Sequence, residues 1–295
     1  MLPIAMLTGI LLHKYIGYVA FLSRYLIFIM LLITYCRVKA SDFHIGGYIY
    51  TLLCAQIGGA VCAYLLLNPF NEILAQGAFI CFFCPTATAA PVITGILGGS
   101  ISRVATFSLF SHVSVAILAP FLLSWMAGES TPASEISFSD SAFTIAITVL
   151  PLILGPLAIA FLLQRFSPKT RDAIANHQGL SFYIWAFALI IVVGNSVSFI
   201  LHEPSDMVPE IVMIAGISLI ACILQFFIGR KTGAHYGDTV SGSQSLGQKN
   251  TVLAIWLSLT YLDPIISVAP AAYVAWHNTF NAIQIYRHEK TLKSS

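Results

Sequence analysis

Long apolar stretches separated by short polar ones follow one another along the whole chain. Ten of them lie at about residues 1–13, 17–36, 45–67, 73–98, 101–127, 141–164, 179–201, 207–229, 239–262 and 265–286. A helix that crosses the hydrocarbon core of a bilayer needs about 20 mostly apolar residues, a length that only the first stretch clearly misses. No strand-like alternation of apolar and polar residues is present. The pattern therefore predicts an all-α polytopic membrane protein with ten transmembrane helices.

Composition agrees with this pattern. Of the 295 residues, 58% are hydrophobic and only 9% are charged, whereas a soluble domain carries about 25% charged residues. The basic residues are scattered over loops, so the formal net charge of +2 does not indicate a nucleic-acid partner. The partner that the composition does require is the lipid bilayer.

The six cysteines lie in or beside apolar stretches, where a thiol usually behaves as a small apolar residue. Cys81 and Cys84 form a CFFC pair, but no second pair and no cluster of histidine with cysteine accompanies it. An HExxH pattern is absent and no histidine is near Cys84 in sequence, which makes an intramembrane enzyme the weaker alternative. We expect no metal, no cofactor and no enzymatic activity.

The loops between the stretches are alternately basic and acidic. Eleven of the 14 Lys and Arg residues fall in alternate loops and in the C-terminal tail, and eight of the 12 acidic residues fall in the opposite loops. Because basic loops stay in the cytoplasm, ten spans place both termini there. We expect a multi-pass protein of the inner (cytoplasmic) membrane.

A polar loop at residues 128–140 divides the ten stretches into two halves of five, residues 1–127 and 141–295. Since five is odd, structural repeats in the two halves would have opposite orientations in the membrane. Inverted repeats of this kind are typical of secondary transporters. The division into two halves of five therefore predicts a transporter. If the halves are repeats, corresponding stretches should be interrupted at the same place.

The fourth stretch of each half is interrupted. Residues 84–92 read CPTATAAPV, with two prolines, and residues 241–250 read SGSQSLGQKN within apolar flanks. In lipid, a backbone group released by such a break must find a partner in the protein or in a water-lined cavity. Two ordinary kinked helices are one explanation. Because the breaks lie at matching positions in the two halves, we favour a second explanation, namely a binding site near the bilayer midplane.

These residues resemble motifs of the bile acid:sodium symporter family. CPTATAAPVITGILGG is similar to its fourth-helix motif CPGGTASNV, LGQKNTVLAIWLSL resembles its ninth-helix motif ExGxQNxxLA, and PAAYVAWHN is similar to its tenth-helix PAALFSVWHN. The resemblance implies two inverted five-helix repeats, a panel of helices 1, 2, 6 and 7, and a core of helices 3–5 and 8–10 in which broken helices 4 and 9 cross. It also implies uptake of an organic anion, coupled to two sodium ions bound behind the crossing.

Carried over residue by residue, the resemblance implies altered sodium sites. The family's Ser-Asn pair, which supplies sodium ligands, falls on Ala90 and Pro91, which offer no side-chain oxygen. The shared Glu falls on Ser245, and the Gln that follows it in the motif falls on Lys249. Because sodium binding requires several oxygen ligands and favours a carboxylate, we do not expect the usual sodium coupling.

Lys249 lies in the break of the ninth stretch, at a depth where an ammonium costs about 2.5–3.5 kcal/mol to insert. An ammonium at the sodium position would donate to half-helix carbonyl groups and to Gln56, while Ser108 keeps a coordinating oxygen. Our leading hypothesis is that Lys249 is a covalently attached substitute for the ion. Burial also disfavours the charged form, so Lys249 could instead exchange a proton during transport. The third alternative is that its long side chain only reaches the membrane surface.

The resemblance places substrate contacts at Thr88 and Asn250, and Thr86 is the third candidate. Half-helix N-termini favour anions, so we expect a small organic anion, bile-acid-like or carboxylate-like. A sodium-coupled or proton-coupled symporter, a non-transporting sensor of the same fold and a metalloid exporter that uses Cys84 are the alternatives. Asp238 is expected to cap the ninth helix, and His277 to make a hydrogen bond between helices.

Overall fold

The computed structural model describes residues 2–37, 46–126, 137–176, 178–202 and 207–294. Within these ranges almost every residue is helical. The α-helices are α1 (Leu2–Ile16), α2 (Leu22–Arg37), α3 (Gly47–Leu67), α4 (Glu72–Phe83), α5 (Ala90–Ile96), α6 (Ile101–Met126), α7 (Phe138–Phe166), α8 (Pro168–Asn176), α9 (Gln178–Ile200), α10 (Val208–His235), α11 (Thr239–Gly247), α12 (Thr251–Tyr261) and α13 (Val268–Ser294), with short 3-10 helices at Gly17–Val19 and Pro264–Ser267. The predicted all-α class is confirmed for the described residues.

Among the described residues, five helices are long and apolar enough to cross a membrane, namely α3, α6, α7, α9 and α10. A sixth span results if the first two helices, which are bent by 100° relative to each other, are counted as one. The chain is therefore a multi-pass membrane protein. The broken stretches fall below this criterion because each of their halves is short: α4 has 12 residues and α12 has 11.

Several helices differ in extent from the apolar stretches. α10 continues to His235 and α13 to Ser294, beyond the predicted ends near residues 229 and 286. The extensions contain Arg, Lys and Glu, which are good helix formers, so the helix does not end where the apolar pattern ends. α8 lies in a loop that had no predicted helix, because its sequence PKTRDAIAN is polar.

The break after α4 has a local cause. Cys84 precedes Pro85, and a residue before proline is pushed out of the helical region. Cys84 accordingly has φ −55° and ψ 145° and ends the helix. The second proline, Pro91, lies in the first turn of α5, where its missing N–H costs nothing.

The break after α11 contains no proline. Gln248 is extended, with φ −90° and ψ 120°, and the chain becomes helical again at Thr251. Asp238 caps the other end of α11, since its carboxylate accepts a hydrogen bond from the Ser241 amide at 2.9 Å. The predicted cap is therefore confirmed.

The chain forms two compact units, each made of non-contiguous segments. The first unit contains α1, α2, the part of α6 from His112 onward, α7, α8, α9 and α12 from Val252 onward. Its α1 packs along α9. A Cβ atom on Gly9 would lie 2.7 Å from the Ile190 backbone oxygen, and one on Gly194 would lie 2.8 Å from the Gly9 oxygen, so the two backbones are in contact.

The second unit contains α3, α4, α5, the part of α6 up to Ser111, α10 from Val212 onward, α11 and α13. In it α4 packs against α3 and α13, and α11 packs against α3 and α5. α10 approaches α11 closely, because a Cβ on Gly242 would collide with the backbone of Gly229 and Gly233. Both helix breaks lie in this unit, so it contains every interaction of the site described next.

Candidate ion and substrate site

The two breaks pair with each other through their backbones. The Ala87 amide donates to the Gln248 oxygen at 3.1 Å, and the Asn250 amide donates to the Pro85 oxygen at 2.8 Å. Thr86 thereby lies opposite Lys249 in a short antiparallel bridge. These two bonds satisfy backbone groups that the helices themselves leave unpaired, which is required of non-helical backbone at membrane depth.

The Lys249 side chain is buried, with 2% of the residue exposed. Its Nζ donates to the backbone oxygens of Phe82 at 2.8 Å and Cys84 at 3.0 Å. These oxygens lie at the C-terminal end of α4, where carbonyl groups lack partners within the helix and the helix dipole is negative. Lys249 therefore caps α4 and does not extend to a membrane surface.

Gln56 of α3 binds the same helix end. Its Nε2 donates to the Phe83 oxygen at 2.7 Å and to the Cys84 oxygen at 3.2 Å. Its Oε1 accepts a hydrogen bond from the Ser111 hydroxyl at 2.7 Å. Gln56 and Lys249 thus share the Cys84 oxygen, and together they bind three consecutive carbonyl groups.

The end of α11 is capped in a corresponding way. The Thr86 hydroxyl donates to the Ser245 backbone oxygen at 2.7 Å, and the Tyr273 hydroxyl donates to the Gly247 oxygen at 2.9 Å. The Ser245 hydroxyl is paired with the Tyr48 hydroxyl at 3.0 Å. Thr86 and Lys249 lie opposite each other in the bridge.

The side chain of Thr86 donates to the Ser245 carbonyl, which lies four residues before Lys249 in the sequence. The side chain of Lys249 donates to the Phe82 carbonyl, which lies four residues before Thr86. The two bonds therefore have the same register relative to the bridge. A hydroxyl fills one of the two related positions and an amine fills the other. Of these two positions, the one at the end of α4 is the one with a cationic group.

The hydrogen bonds join four of the predicted site residues, Thr86, Ser245, Gln56 and Lys249, into one cluster. The other predicted residues have different surroundings. Thr88 is half-buried in the turn before α5, Asn250 is buried next to the bridge, Ser108 is buried in α6, and Ala90 and Pro91 form the first turn of α5. The last two contribute no side-chain oxygen, as the sequence requires.

Sequence reasoning missed four residues of this cluster, namely Tyr48, Ser111, Gln225 and Tyr273. Gln225 of α10 donates to the Cys81 oxygen and to the Tyr273 hydroxyl, both at 3.1 Å. Gln225 could have been found by comparing the two halves. Gln56 lies in the third apolar stretch of the first half, and Gln225 lies in the third apolar stretch of the second half. Tyr273 lies within the PAAYVAWHN run, but nothing in that run marks its hydroxyl as a partner of α11. No sequence signal distinguishes Tyr48 or Ser111 from other polar residues of apolar helices.

The N-terminal end of α11 carries a second polar cluster. The Asp238 carboxylate accepts hydrogen bonds from the Ser241 hydroxyl at 2.5 Å and from the Ser100 amide at 3.1 Å. Burial alone would raise the pKa of Asp238, but these bonds and the nearby charge of Arg103 outweigh it and lower the pKa. Asp238 is therefore most stable in its charged form.

The sulfur and imidazole groups of the described residues do not form the arrangement that a metal site requires. Within the described ranges, no group of three or more His, Cys, Asp or Glu side chains is arranged to hold a metal ion. The hydrogen bond predicted for His277 is not found at Nδ1, which is buried without a partner, and the ring packs edge-on against Tyr273 at 5.6 Å between centroids.

No protein-family model matches the chain. It is similar to the "Uncharacterized sodium-dependent transporter YocS" of Bacillus subtilis (strain 168), with 22% identity over 207 residues, which cover 70% of this chain and 61% of that protein. It is also similar to two proteins of Oryza sativa subsp. japonica. The "Probable sodium/metabolite cotransporter BASS2, chloroplastic" is 22% identical over 233 residues, 78% of this chain and 52% of that protein. The "Probable sodium/metabolite cotransporter BASS1, chloroplastic" is 22% identical over 251 residues, 81% of this chain and 56% of that protein.

The chain is thus a distant homologue of sodium-dependent and sodium/metabolite transporters. It spans less than two thirds of the length of each of these relatives. All three are named as transporters and none as an enzyme, in agreement with the prediction that this chain is not an enzyme.

Proposed function

We propose that this chain is a secondary transporter of small organic anions that works by alternating access and in which Lys249 replaces a coupling sodium ion. The observation that carries the proposal is the pair of hydrogen bonds from Nζ of Lys249 to the Phe82 and Cys84 oxygens. The names of the distant relatives support the transport function. The proposed architecture has ten membrane helices in two inverted repeats, residues 1–127 and 141–295.

The oxygen atoms around Lys249 suit a monovalent cation. Backbone and amide oxygens are the ligands that hard cations prefer, and an ammonium group offers three donors to the same kind of oxygen. Here the ammonium belongs to the chain, so the position is occupied without an ion from solution. The transport cycle then proceeds without consuming a sodium gradient.

The proposed substrate contacts are Thr88 and Asn250. Both flank the backbone bridge, and Thr88 precedes α5 while Asn250 precedes α12. Amide and hydroxyl groups can donate to a carboxylate. Thr86 is a weaker candidate, because its hydroxyl proton is already donated to the Ser245 oxygen.

The proposal is tested by thermal unfolding of the purified protein in sodium, methylammonium or choline chloride at equal ionic strength and pH. A cation that binds only the folded state raises the melting temperature. We expect no difference among the salts for the wild type. Lys249→Ala, which leaves the oxygens without the amine, should melt at a lower temperature and be partly restored by sodium or methylammonium but not by the larger choline.

Lys231→Gln is the matched control, because Lys231 is exposed on α10 and its loss should change neither stability nor salt response. If sodium stabilises the wild type, the chain has an ordinary sodium site and the assignment of Lys249 is incorrect. Uptake of a panel of radiolabelled carboxylates into proteoliposomes, with and without a sodium gradient, then tests the transport itself.

Two alternative functions, a proton-coupled transporter and a non-transporting sensor, are also compatible with the buried amine of Lys249. Uptake that follows an imposed pH gradient and loses this dependence in Lys249→Gln would assign proton coupling. Saturable binding of a carboxylate without net flux would assign a sensor. These outcomes are separated by comparing binding and flux in the same proteoliposome preparation.

A further inference from the structure

The described part of the first unit contains buried arginine nitrogen atoms that have no acceptor. α8 packs against α2 and against α7. The guanidinium of Arg171 in α8 lies close enough to Cys36, in the last turn of α2, to act on its thiol electrostatically. Cys36 is followed by Arg37, the last residue of α2. Two arginines are thus brought to the same end of this unit.

The unpaired atoms are all donors. Within the described part of the chain, Nε and Nη2 of Arg37 and Nε of Arg171 are buried without a hydrogen-bond partner. Arg171 is only 7% exposed. Leaving a charged donor buried and unpaired is costly, so an acceptor that completes these groups would be bound favourably.

The geometry of Arg37 narrows the chemistry of the acceptor. Nε and Nη2 form one edge of the planar guanidinium, and this edge binds two oxygens of a phosphate or carboxylate in parallel. The one acidic partner described here is Asp172, whose Oδ1 accepts from Nη1 of Arg171 at 2.6 Å. Two arginines against one aspartate leave a net positive charge. The dipole of α2 also favours a cation at its C-terminus, but it supplies no acceptor to this edge.

The location favours phosphate. The loops after α2 and α7 are on the side that the charge pattern places in the cytoplasm, where lipid phosphates are abundant and basic pockets between membrane helices bind anionic head groups. We propose that Arg37 and Arg171 bind a phosphate group at this end of the first unit. The phosphate belongs either to an anionic phospholipid or to a soluble anion.

The test is thermal unfolding of the full-length protein in a neutral detergent, titrated with phosphatidylglycerol, with phosphatidylcholine or with inorganic phosphate. The variants are Arg37→Lys, which keeps the charge and removes the bidentate edge, and Arg171→Gln. Lys169→Gln is the matched control, because Lys169 is an exposed cation of the same helix. Arg171→Lys replaces Arg171→Gln if the latter does not fold.

We expect phosphatidylglycerol to raise the melting temperature of the wild type and of Lys169→Gln. The half-saturating concentration should be about tenfold higher in each arginine variant, which corresponds to the loss of one charge-assisted hydrogen bond. Inorganic phosphate acting with the same dependence on both arginines would assign a soluble anion. The proposal is overturned if neither anion stabilises more than phosphatidylcholine, or if the arginine variants respond as the wild type does.

Discussion

Buried side chains donate hydrogen bonds to the carbonyl groups at the two helix breaks, and each donor can be tested at the residue scale. Lys249 and Gln56 bind three carbonyl groups of α4, and Thr86 binds one of α11. A carbonyl oxygen left without a donor in a buried place costs about 1–3 kcal/mol. The free energy of unfolding therefore depends on single hydroxyl and amine groups here.

Thr86→Val removes the hydroxyl that binds the Ser245 oxygen and keeps the shape of the side chain. We expect a loss of about 1–2 kcal/mol in stability, seen as a lower melting temperature in detergent. Thr94→Val is the control, since the Thr94 hydroxyl donates only to the Ala90 oxygen of its own helix turn. Equal effects of the two substitutions would contradict a bridging role for Thr86.

Asp238 supplies a prediction about pH. Its pKa in the folded protein lies below the usual 3.8, so its contribution to stability is complete above about pH 5 and is lost as the pH falls through 3.8 and then through the lowered value. Asp238→Asn keeps a capping oxygen and removes the charge. The melting temperature of the wild type should exceed that of Asp238→Asn at pH 6 to 7, and the difference should shrink steadily below pH 4. A difference that stays constant down to pH 3 would rule out this role of the carboxylate.

At the scale of elements, the sequence signals differ in strength. Pro85 and Pro91 determine where the fourth stretch breaks, because proline restricts its neighbour and lacks an N–H. The break near Lys249 was visible only as a polar run, and its extended residue Gln248 has no strong local preference. The polar helix α8 was not predictable from apolar periodicity, since its packing surface depends on partners from other parts of the chain.

The contact between α10 and α11 depends on glycine. A Cβ on Gly242 would collide with the Gly229 backbone oxygen, so Gly242→Ala should force the two helices apart and cost about 1–3 kcal/mol. Gly58→Ala on α3 is the control because nothing lies within 4 Å of its added Cβ, and alanine there should be neutral or slightly stabilising. A lower melting temperature for Gly242→Ala alone supports the close packing of α10 and α11. A similar change in both variants would indicate a general effect of helix propensity.

At the scale of the whole molecule, the alternation of basic and acidic loops predicts that both termini are cytoplasmic. A green fluorescent protein fused after residue 295 should be fluorescent, and alkaline phosphatase at the same place should be inactive. A phosphatase fusion truncated at residue 132, within the long polar loop between the halves, is the control and should be active. The reverse pattern would require an odd number of spans or an inverted orientation.

Sequence reasoning reached the membrane class and the two breaks, because hydropathy, proline and unusual polar residues are local signals. It placed a cation at the correct break and expected half-helix carbonyl groups as its acceptors, but it did not identify which carbonyl groups these are. It also expected Lys249 to donate to Gln56, whereas Gln56 is a second donor to the same helix end. The Phe82 and Cys84 oxygens are backbone groups, which every residue has, so nothing in the residue types marks them as acceptors. The positions of Tyr48, Ser111 and Tyr273 depend on how helices from distant parts of the chain pack.

If the Lys249 amine takes the place of the coupling ion, as proposed, the direction of transport is constrained. A carrier without a coupling ion can bring its solute only to electrochemical equilibrium. For a monovalent anion, a membrane potential of 100 mV, negative inside, is worth about 2.3 kcal/mol. At equilibrium the internal concentration of the anion is then about fiftyfold below the external one. With Lys249 in place of the ion, this protein could export the anion, or take it up only if metabolism removes it rapidly inside the cell.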